Sequence, residues 1–393
     1  MADGRAVFVP RTVPGDEVEL AEVRLHARFA RAMAGRLISP GPDRVAPRCL
    51  HYERDRCGGC QLQHLSAEAQ CAARRAIVGD ALRRIGKLEL EDPVLEAPGE
   101  PWGYRHRISL HADATGRRIG FHRLGDAAGV FDLERCEIAA PGINRIWAAV
   151  RATREALPPA LDGVVLRLSR DGGGHVVLRG PVRPAAEALA RLGAAVESAG
   201  LAVSWWWEPE KGQPRAVGGA DPLSAASATS FEQVNPAVGD AVRAFAVSLA
   251  GDVSGRHAWD LYAGIGEAGR MLHQLGGTVE SVERDGAAVA VAEQVGPREG
   301  IRRHVGPVEA WIDRMAPPGV VFTNPPRSGM APVVVDGLAR ASPAVIVYVS
   351  CDPATLARDL RALGPAYRVG RHRAFDLFPQ TAHVETVVRL ERA

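Results

Sequence analysis

From about residue 216 the chain alternates apolar, strand-like runs with helical segments, and this alternation leaves few folds open. The runs are His257–Tyr262, Thr278–Glu283, Val320–Thr323, Val345–Val349 and a final Val384–Leu390. Strands joined through helices lie parallel, with helices covering the faces, so a parallel sheet is expected. In open α/β sheets ligands bind outside the carboxyl ends of the strands. The residues at which each run stops are therefore the ones to inspect.

The first run ends in Asp260-Leu-Tyr-Ala-Gly-Ile-Gly-Glu-Ala-Gly269, which contains G-x-G-x-x-G at Gly264, Gly266 and Gly269. Alone this motif is weak: it describes a tight turn whose backbone can approach a nucleotide or nucleoside. About twenty residues on, Glu283 closes the second run, where a carboxylate can accept hydrogen bonds from ribose hydroxyls. A nicotinamide dinucleotide and S-adenosylmethionine both fit that pair. The third run leads into Asn324-Pro-Pro-Arg327, a rigid turn that presents an Asn side chain. A dehydrogenase has no need of that element; an adenosylmethionine enzyme acting on a planar, nitrogen-rich substrate has.

The fourth run lies in VIVYVSCDPATLARDL, with Cys351 at the turn before a helix from about Ala354. Free cysteines are commonly buried and inert. At a strand's carboxyl end, beside the motifs above, this one is placed as a nucleophile. The last run is approached through Phe378-Pro-Gln-Thr-Ala-His-Val-Glu385. Partial desolvation of Glu385 would raise its pKa and suit a proton acceptor; otherwise it is an ordinary strand-end carboxylate. Upstream, Phe231-Glu-Gln-Val-Asn-Pro236 offers Phe231 for stacking or packing. Gln233 and Asn235 offer donors and acceptors to a uracil edge or cofactor, or Asn235 caps a helix opened by Pro236.

Residues 1–45 carry short strand patterns at Val7–Val9 and Glu17–Val23 around a Pro14-Gly15 turn, with a further strand within Ala27–Ile38. They suit a small oligonucleotide-binding barrel or an ordinary β subdomain. Next comes Cys49-x7-Cys57-Gly-Gly-Cys60, followed by Gln61-Leu62-Gln63-His64. Six cysteines in a chain with no apolar leader argue for metal or catalysis rather than disulfides. Three thiolates at this spacing can share one metal centre. As fourth ligand Cys136, in the loop LERCEIAAP, is preferred to Cys71, which lies on a helix over Ala67–Ile85. Arg74, Arg75, Arg83 and Arg84 of that helix are expected to face outward. Zinc would take four thiolates, or three with His64, and a [4Fe–4S] cluster four cysteines; spacing leaves the metal open. Residues 101–215 read as antiparallel β with a helix over Ala185–Ala199 and a turn at Asp171-Gly172-Gly173. Trp205-Trp206-Trp207 reads as core packing, with base stacking the alternative.

The net charge of +2 supports no global argument for nucleic acid. Arginines nevertheless gather in the first third, whereas lysine occurs only at Lys87 and Lys211. No run of about 18 apolar residues suggests a membrane span, and a cytoplasmic protein with no membrane partner is expected.

Taken in order, CGGCQLQH, FEQVNP, DLYAGIG, NPPRSG, SCDPATLARDL and FPQTAHVE resemble the uracil-5 RNA methyltransferase family. The resemblance is to its iron–sulfur, TRAM-bearing members that modify 23S ribosomal RNA, and it spans nearly the whole chain. It implies a Rossmann-like class I methyltransferase domain with a mixed seven-stranded sheet over 216–393. It also implies a central antiparallel β domain carrying a metal cluster over 46–215, and an OB-like TRAM module over 1–45. Cys351 would match the nucleophile and Glu385 the base that removes the C5 proton. Gln233, Tyr262, Gly264, Glu267, Glu283 and Asn324 would match S-adenosylmethionine-site positions, and Cys49, Cys57, Cys60 and Cys136 the ligands of a [4Fe–4S] cluster. The helix after CGGC would pack back on the catalytic domain. The implied partner is RNA, 23S rRNA or alternatively tRNA, handled by a monomer. Glu267 stands where Asn is frequent and Asn324 where many members have Asp. The N-terminal module reads as short of its opening strand.

Overall fold

The protein, seen here as a computed structural model, is described over residues 4–169, 173–219, 233–297 and 299–393. Its N-terminal module is an open three-stranded sheet of β1 (Ala6–Phe8), β2 (Glu17–Leu25) and β3 (Phe29–Ser39), in the order β1-β3-β2. β1 runs parallel and β2 antiparallel to β3. A closed OB-like barrel is not formed by the described residues: three strands cannot close a fold that needs five. Asp16 fastens the module's base. It pairs with Arg44 and accepts the N–H groups of Val13 (2.7 Å) and Gly41 (2.8 Å), which hold its carboxyl well below the usual range.

A short helix α1 (Leu50–Glu53) and the long helix α2 (Ala67–Arg84) follow. Ser66 caps α2 by accepting the Ala69 N–H at 3.2 Å. Val78 and Leu82 of α2 are fully buried in one core with Trp259, Val321 and Leu356, so the helix packs on the last segment of the chain, as expected. Arg75 and Arg84 are exposed, but Arg74 is not. It is 2% exposed and ion-paired with Asp376 at 2.6 Å, 302 residues away. The outward expectation fails there because the helix presents that face to the protein. A two-residue strand β4 (Leu95–Glu96) comes next.

The central segment holds β5 (Arg107–Ala112), β6 (Ile119–Gly120), β7 (His122–Arg123), β8 (Asp126–Val130), helix α3 (Pro141–Ala152), β9 (Gly163–Leu168) and β10 (Gly174–Arg179). Helix α4 (Ala186–Ser198), β11 (Val203–Glu208) and β12 (Arg215–Gly219) complete it. Six of these strands form a sheet in the order β12-β11-β10-β9-β5-β6. It is antiparallel except for β10 and β11, which are parallel because α4 carries the chain back across the sheet. Of the predicted turn, Asp171 and Gly172 lie outside the described residues, while the flanking strands pair as expected through Leu168 and Gly174. Trp205 and Trp206 are buried on opposite faces of β11, which is core packing.

The last segment supplies α5 (Pro236–Ser248), β13 (His257–Leu261), α6 (Glu267–Gln274), β14 (Thr278–Glu283), α7 (Gly286–Val295), β15 (Ile301–Val305) and α8 (Val308–Trp311). Then come β16 (Val320–Thr323), α9 (Pro332–Ala341), β17 (Val345–Ser350), α10 (Pro353–Leu363), β18 (Tyr367–Phe375) and β19 (Glu385–Arg392). The sheet order is β15-β14-β13-β16-β17-β19-β18-β4. The first five strands are parallel, and β19 is inserted antiparallel between β17 and β18. The sheet is thus mixed rather than parallel throughout, and β4 from upstream joins as an eighth strand alongside β18. β15 and β18 escaped the sequence reading because arginine and histidine interrupt their apolar alternation.

Arg74→Ala is expected to cost about 3–5 kcal/mol, because it strands the buried Asp376 carboxylate. The double change Arg74→Met with Asp376→Leu should recover most of that loss, as read by denaturant unfolding.

Candidate active site

Strand β13 is followed by a helix leading to β14 on one side, and β16 by a helix leading to β17 on the other. Their carboxyl ends therefore border a crevice at the point where strand order reverses. Gly264 and Gly266 lie there with φ of +57° and +72°, which favours glycine. At Gly269 a Cβ would stand 2.8 Å from the Asp260 carboxylate, so the third glycine lets helix and strand close up. Asp260 itself accepts the Gly269 N–H at 2.8 Å, and burial pushes its carboxyl up to about 7. The sequence signal for Asp260 is a lone acid in the apolar run just before a glycine turn.

Glu283 accepts the N–H groups of Gly264 and Asp285, both at 2.8 Å, and so steadies the glycine turn. Gln233, Tyr262, Gly264, Glu267 and Asn324 line one cavity with Asp260 and Arg243, and Glu283 adjoins it through Gly264. Tyr262 is held at φ 60°, a costly conformation for a bulky residue and one that clusters at functional sites. Glu267 is ion-paired with Arg243 at 2.5 Å. The cavity encloses about 80 Å³. That is less than the roughly 300 Å³ of a small-ligand pocket, so a nucleoside held here would extend into the open crevice. Asn235 proves to be a helix cap, accepting the Val238 N–H at 3.4 Å. Phe231 lies outside the described residues.

Cys351 and Glu385 meet through strand register. Ser350 pairs with Thr386 at the end of the β17–β19 ladder, so the next residues along each strand, Cys351 and Glu385, stand opposite one another. Cys351 is half-buried, whereas Glu385 is 2% exposed with Oε2 lacking a hydrogen-bond partner. Burial pushes the Glu385 carboxyl up to about 7, against the pull of the Arg327 guanidinium. Burial and the Glu385 charge raise the Cys351 thiol, while a hydrogen bond and the charge of Arg327 oppose them. Arg327 thus stands beside both groups, a place that its position at the end of the proline turn does not announce. The Asp352 carboxylate is occupied in capping α10, where it accepts the N–H groups of Ala354 (3.0 Å) and Thr355 (2.9 Å). Buried Asp359 anchors the Arg327 loop. It accepts the Met330 N–H at 2.8 Å and the Tyr348 hydroxyl at 2.7 Å, and Thr355 Oγ1 donates to the Arg327 carbonyl at 3.1 Å.

Cys49, Cys57, Cys60 and Cys136 are all buried and line a second cavity of about 430 Å³. Cys71 is on α2 and does not line it. Burial and the neighbouring cysteines push three of these thiols up, Cys57 and Cys136 to about 12 and Cys60 to about 11. Four buried thiols lining one cavity are a donor set that a soft cation would take as thiolates, displacing their protons. As the side chains stand, no group of three or more His, Cys, Asp or Glu among the described residues is arranged to hold a metal ion. The same cavity reaches Arg327, Phe378 and His383, near Cys351 and Glu385. Arg11 of the N-terminal module lies 3.7 Å over the Tyr52 ring and donates to the carbonyls of Tyr52, Cys57 and Cys60. His64 is engaged by the Tyr52 hydroxyl at 2.7 Å.

A family model described as tRNA (Uracil-5-)-methyltransferase matches residues 316–393. A 23S rRNA (uracil(1939)-C(5))-methyltransferase RlmD of Aromatoleum aromaticum is 32% identical over 421 residues, covering 99% of this chain and 95% of that protein. Its counterpart in Thiobacillus denitrificans is 30% identical over 422 residues, with the same coverage. Among solved structures, the Pyrococcus abyssi tRNA (uracil-54, C5)-methyltransferase in complex with S-adenosyl-L-homocysteine superposes with a TM-score of 0.70 at 22% identity. The match covers 98% of this chain and 95% of that one, and it establishes the class I methyltransferase fold. Among the described residues no helix is long and apolar enough to cross a membrane.

The buried Glu385 carboxylate has a stability consequence. Its pKa rises from 4.5 unfolded to about 7 folded, so the folded state loses stability as pH climbs between those values. Glu385→Gln is therefore expected to be stabilised relative to the parent by an amount that grows from pH 4.5 to about 7 and then levels, at roughly 1.4 kcal/mol per pH unit, with Tm rising in step. Thermal melts across that range would check it.

Proposed function

This chain belongs to the uracil-5 RNA methyltransferase family, and we propose that it methylates C5 of a uridine in 23S ribosomal RNA through a covalent Cys351 adduct. The observation that carries the covalent reading is the register-paired Cys351 and Glu385, with Arg327 acting on both, beside the glycine crevice. Gln233, Tyr262, Gly264, Glu267, Glu283 and Asn324 would hold S-adenosylmethionine, which supplies an electrophilic methyl group when bound.

Uracil C5 is a poor nucleophile. Addition of the Cys351 thiolate to C6 moves the ring's electron pair toward C5 and O4, and C5 can then attack the methyl carbon. Covalent catalysis of this kind replaces one hard step with easier ones. Arg327 favours the thiolate that this step needs. Glu385 then takes the C5 proton, and the electron pair released from that bond re-forms the C5–C6 double bond and expels Cys351. A carboxylate titrating near 7 is matched to that task at neutral pH. The target uridine must leave its stack to reach a strand-end thiol, so the base is flipped.

The ribosomal target rests on the substrate named for the relatives in Aromatoleum and Thiobacillus. Transfer RNA is the alternative. Residues 1–45, with Arg24, Arg28, Arg31 and Arg36, would hold RNA as a TRAM-type module through its backbone and shape. In the central domain, 46–215, Cys49, Cys57, Cys60 and Cys136 would hold a [4Fe–4S] cluster with a structural or RNA-positioning role. The domain over 216–393 would perform the methyl transfer, in a cytoplasmic monomer.

The test is covalent trapping. With S-adenosylmethionine and RNA containing 5-fluorouridine, fluorine at C5 cannot leave as a proton does, so a denaturant-stable complex is expected with the parent protein and none with Cys351→Ala. Sequencing the trapped RNA identifies the substrate; transfer RNA in the complex would overturn the ribosomal assignment. Turnover is expected to rise with pH through about 7 as Glu385 ionises. It should climb further as the Cys351 thiol, raised above its ordinary value, does so too. A flat profile from pH 6 to 8 would remove Glu385 as the base.

A further inference from the structure

The segment just after Cys60 touches the turn that delivers Glu385. The backbone N–H groups of Gln61 and Leu62 both donate to the Gln380 carbonyl, at 3.1 and 3.0 Å. The Gln61 side chain adds a bridge. Its amide N–H donates to the Gly58 carbonyl in the cysteine loop at 3.0 Å, and its carbonyl accepts the Ala382 N–H at 3.4 Å. Gln380 is held at φ 70°, a left-handed conformation that a non-glycine residue keeps only when its surroundings fix it. Its side chain accepts from the Gln70 amide at 3.0 Å. Tyr104 donates to the Pro379 carbonyl at 2.9 Å and Arg74 to the Thr381 carbonyl at 3.4 Å. Residues 379–382 are thus held by donors and acceptors from residues 61–104.

These contacts converge on one catalytic group and not the other. Glu385 is the first residue of β19, so the sheet fixes the residues after it and the turn fixes those before it. Cys351 follows the last residue of β17 and is set by α10 and the Arg327 loop, neither of which touches Gln61 or Gln380 through a hydrogen bond named above. We propose that Gln61, with Gln380, is a positioning element for the proton-removal step. It sets the reach of the Glu385 carboxylate to C5 without governing addition of Cys351 to the base. The inference rests on the covalent reading given above and assigns a task to the QLQ run that the cysteine motif leaves unexplained.

The two half-reactions can be read separately in Gln61→Ala. Trapping on 5-fluorouridine RNA reports addition and methyl transfer, which do not need Glu385. Turnover on ordinary RNA needs it. The expected result is trapping at the parent rate, turnover lowered about 10- to 100-fold, the scale of a misplaced catalytic group, and a denaturant-stable complex accumulating on ordinary RNA. Gln61→Glu keeps the acceptor facing Ala382 and should restore part of the turnover. If Gln61→Ala does not fold, Gln70→Ala frees the Gln380 side chain and gives the same reading. Trapping and turnover falling together, or turnover unchanged, would overturn the positioning role. No trapped complex with the parent protein would overturn the covalent reading, and this inference with it.

Discussion

Backbone pairing between β17 and β19 is the constraint from which the pairing of Cys351 with Glu385 derives. Two residues 34 positions apart, Cys351 and Glu385, face each other because an antiparallel ladder runs out at Ser350 and Thr386. Had β19 joined in parallel, like the five strands before it, its first residue would lie at the opposite end of the sheet. The mixed sheet is thus the means by which a thiol at one strand's end meets a carboxylate at another's start. A one-residue slip in that register would turn Glu385 to the other face of the sheet.

Around that pair the fold arranges burial in graded fashion. Glu385 is shut away with an unpartnered oxygen, which lifts its pKa toward neutrality. Cys351 is half-open, and Arg327 attends to both. The Asp352 carboxylate accepts two N–H groups of α10 and so fixes the start of the helix that follows Cys351. Asp359, deeper in, ties the Arg327 loop to the helix after Cys351, so the thiol and the guanidinium are positioned by one helix.

The strand-end motifs were legible because each joins a distinctive turn to a polar residue at a carboxyl end. Gly264, Asn324 and Cys351 needed only the parallel-sheet rule to be brought near one another. What the sequence concealed was of three kinds. Arginine and histidine masked the strands Ile301–Val305 and Tyr367–Phe375. Long-range partners were invisible: Arg74 looked like any helical surface arginine until Asp376 appeared beside it. Finally, Asp260 and Arg327 draw their importance from local geometry, a bond to Gly269 and a place beside two titrating groups, that no spacing announces. In the N-terminal module the strand patterns left a barrel and an ordinary β subdomain both open, and the described residues form an open three-stranded sheet.

Helix α2 and strand β4 are made early yet belong to the catalytic half. Arg74 finds Asp376 only after 302 further residues have been synthesised. At about 5–20 residues per second that is a wait of roughly 15–60 s on the translating ribosome. Until then the apolar face of Val78 and Leu82 has no core to enter, and the cysteine loop has no Gln380 to rest on. The N-terminal third therefore emerges as a set of parts awaiting assembly, and the chain's last thirty residues act as the closing stitch for structure begun at its start. Such a molecule cannot be divided at its apparent segment boundaries without exposing both sides.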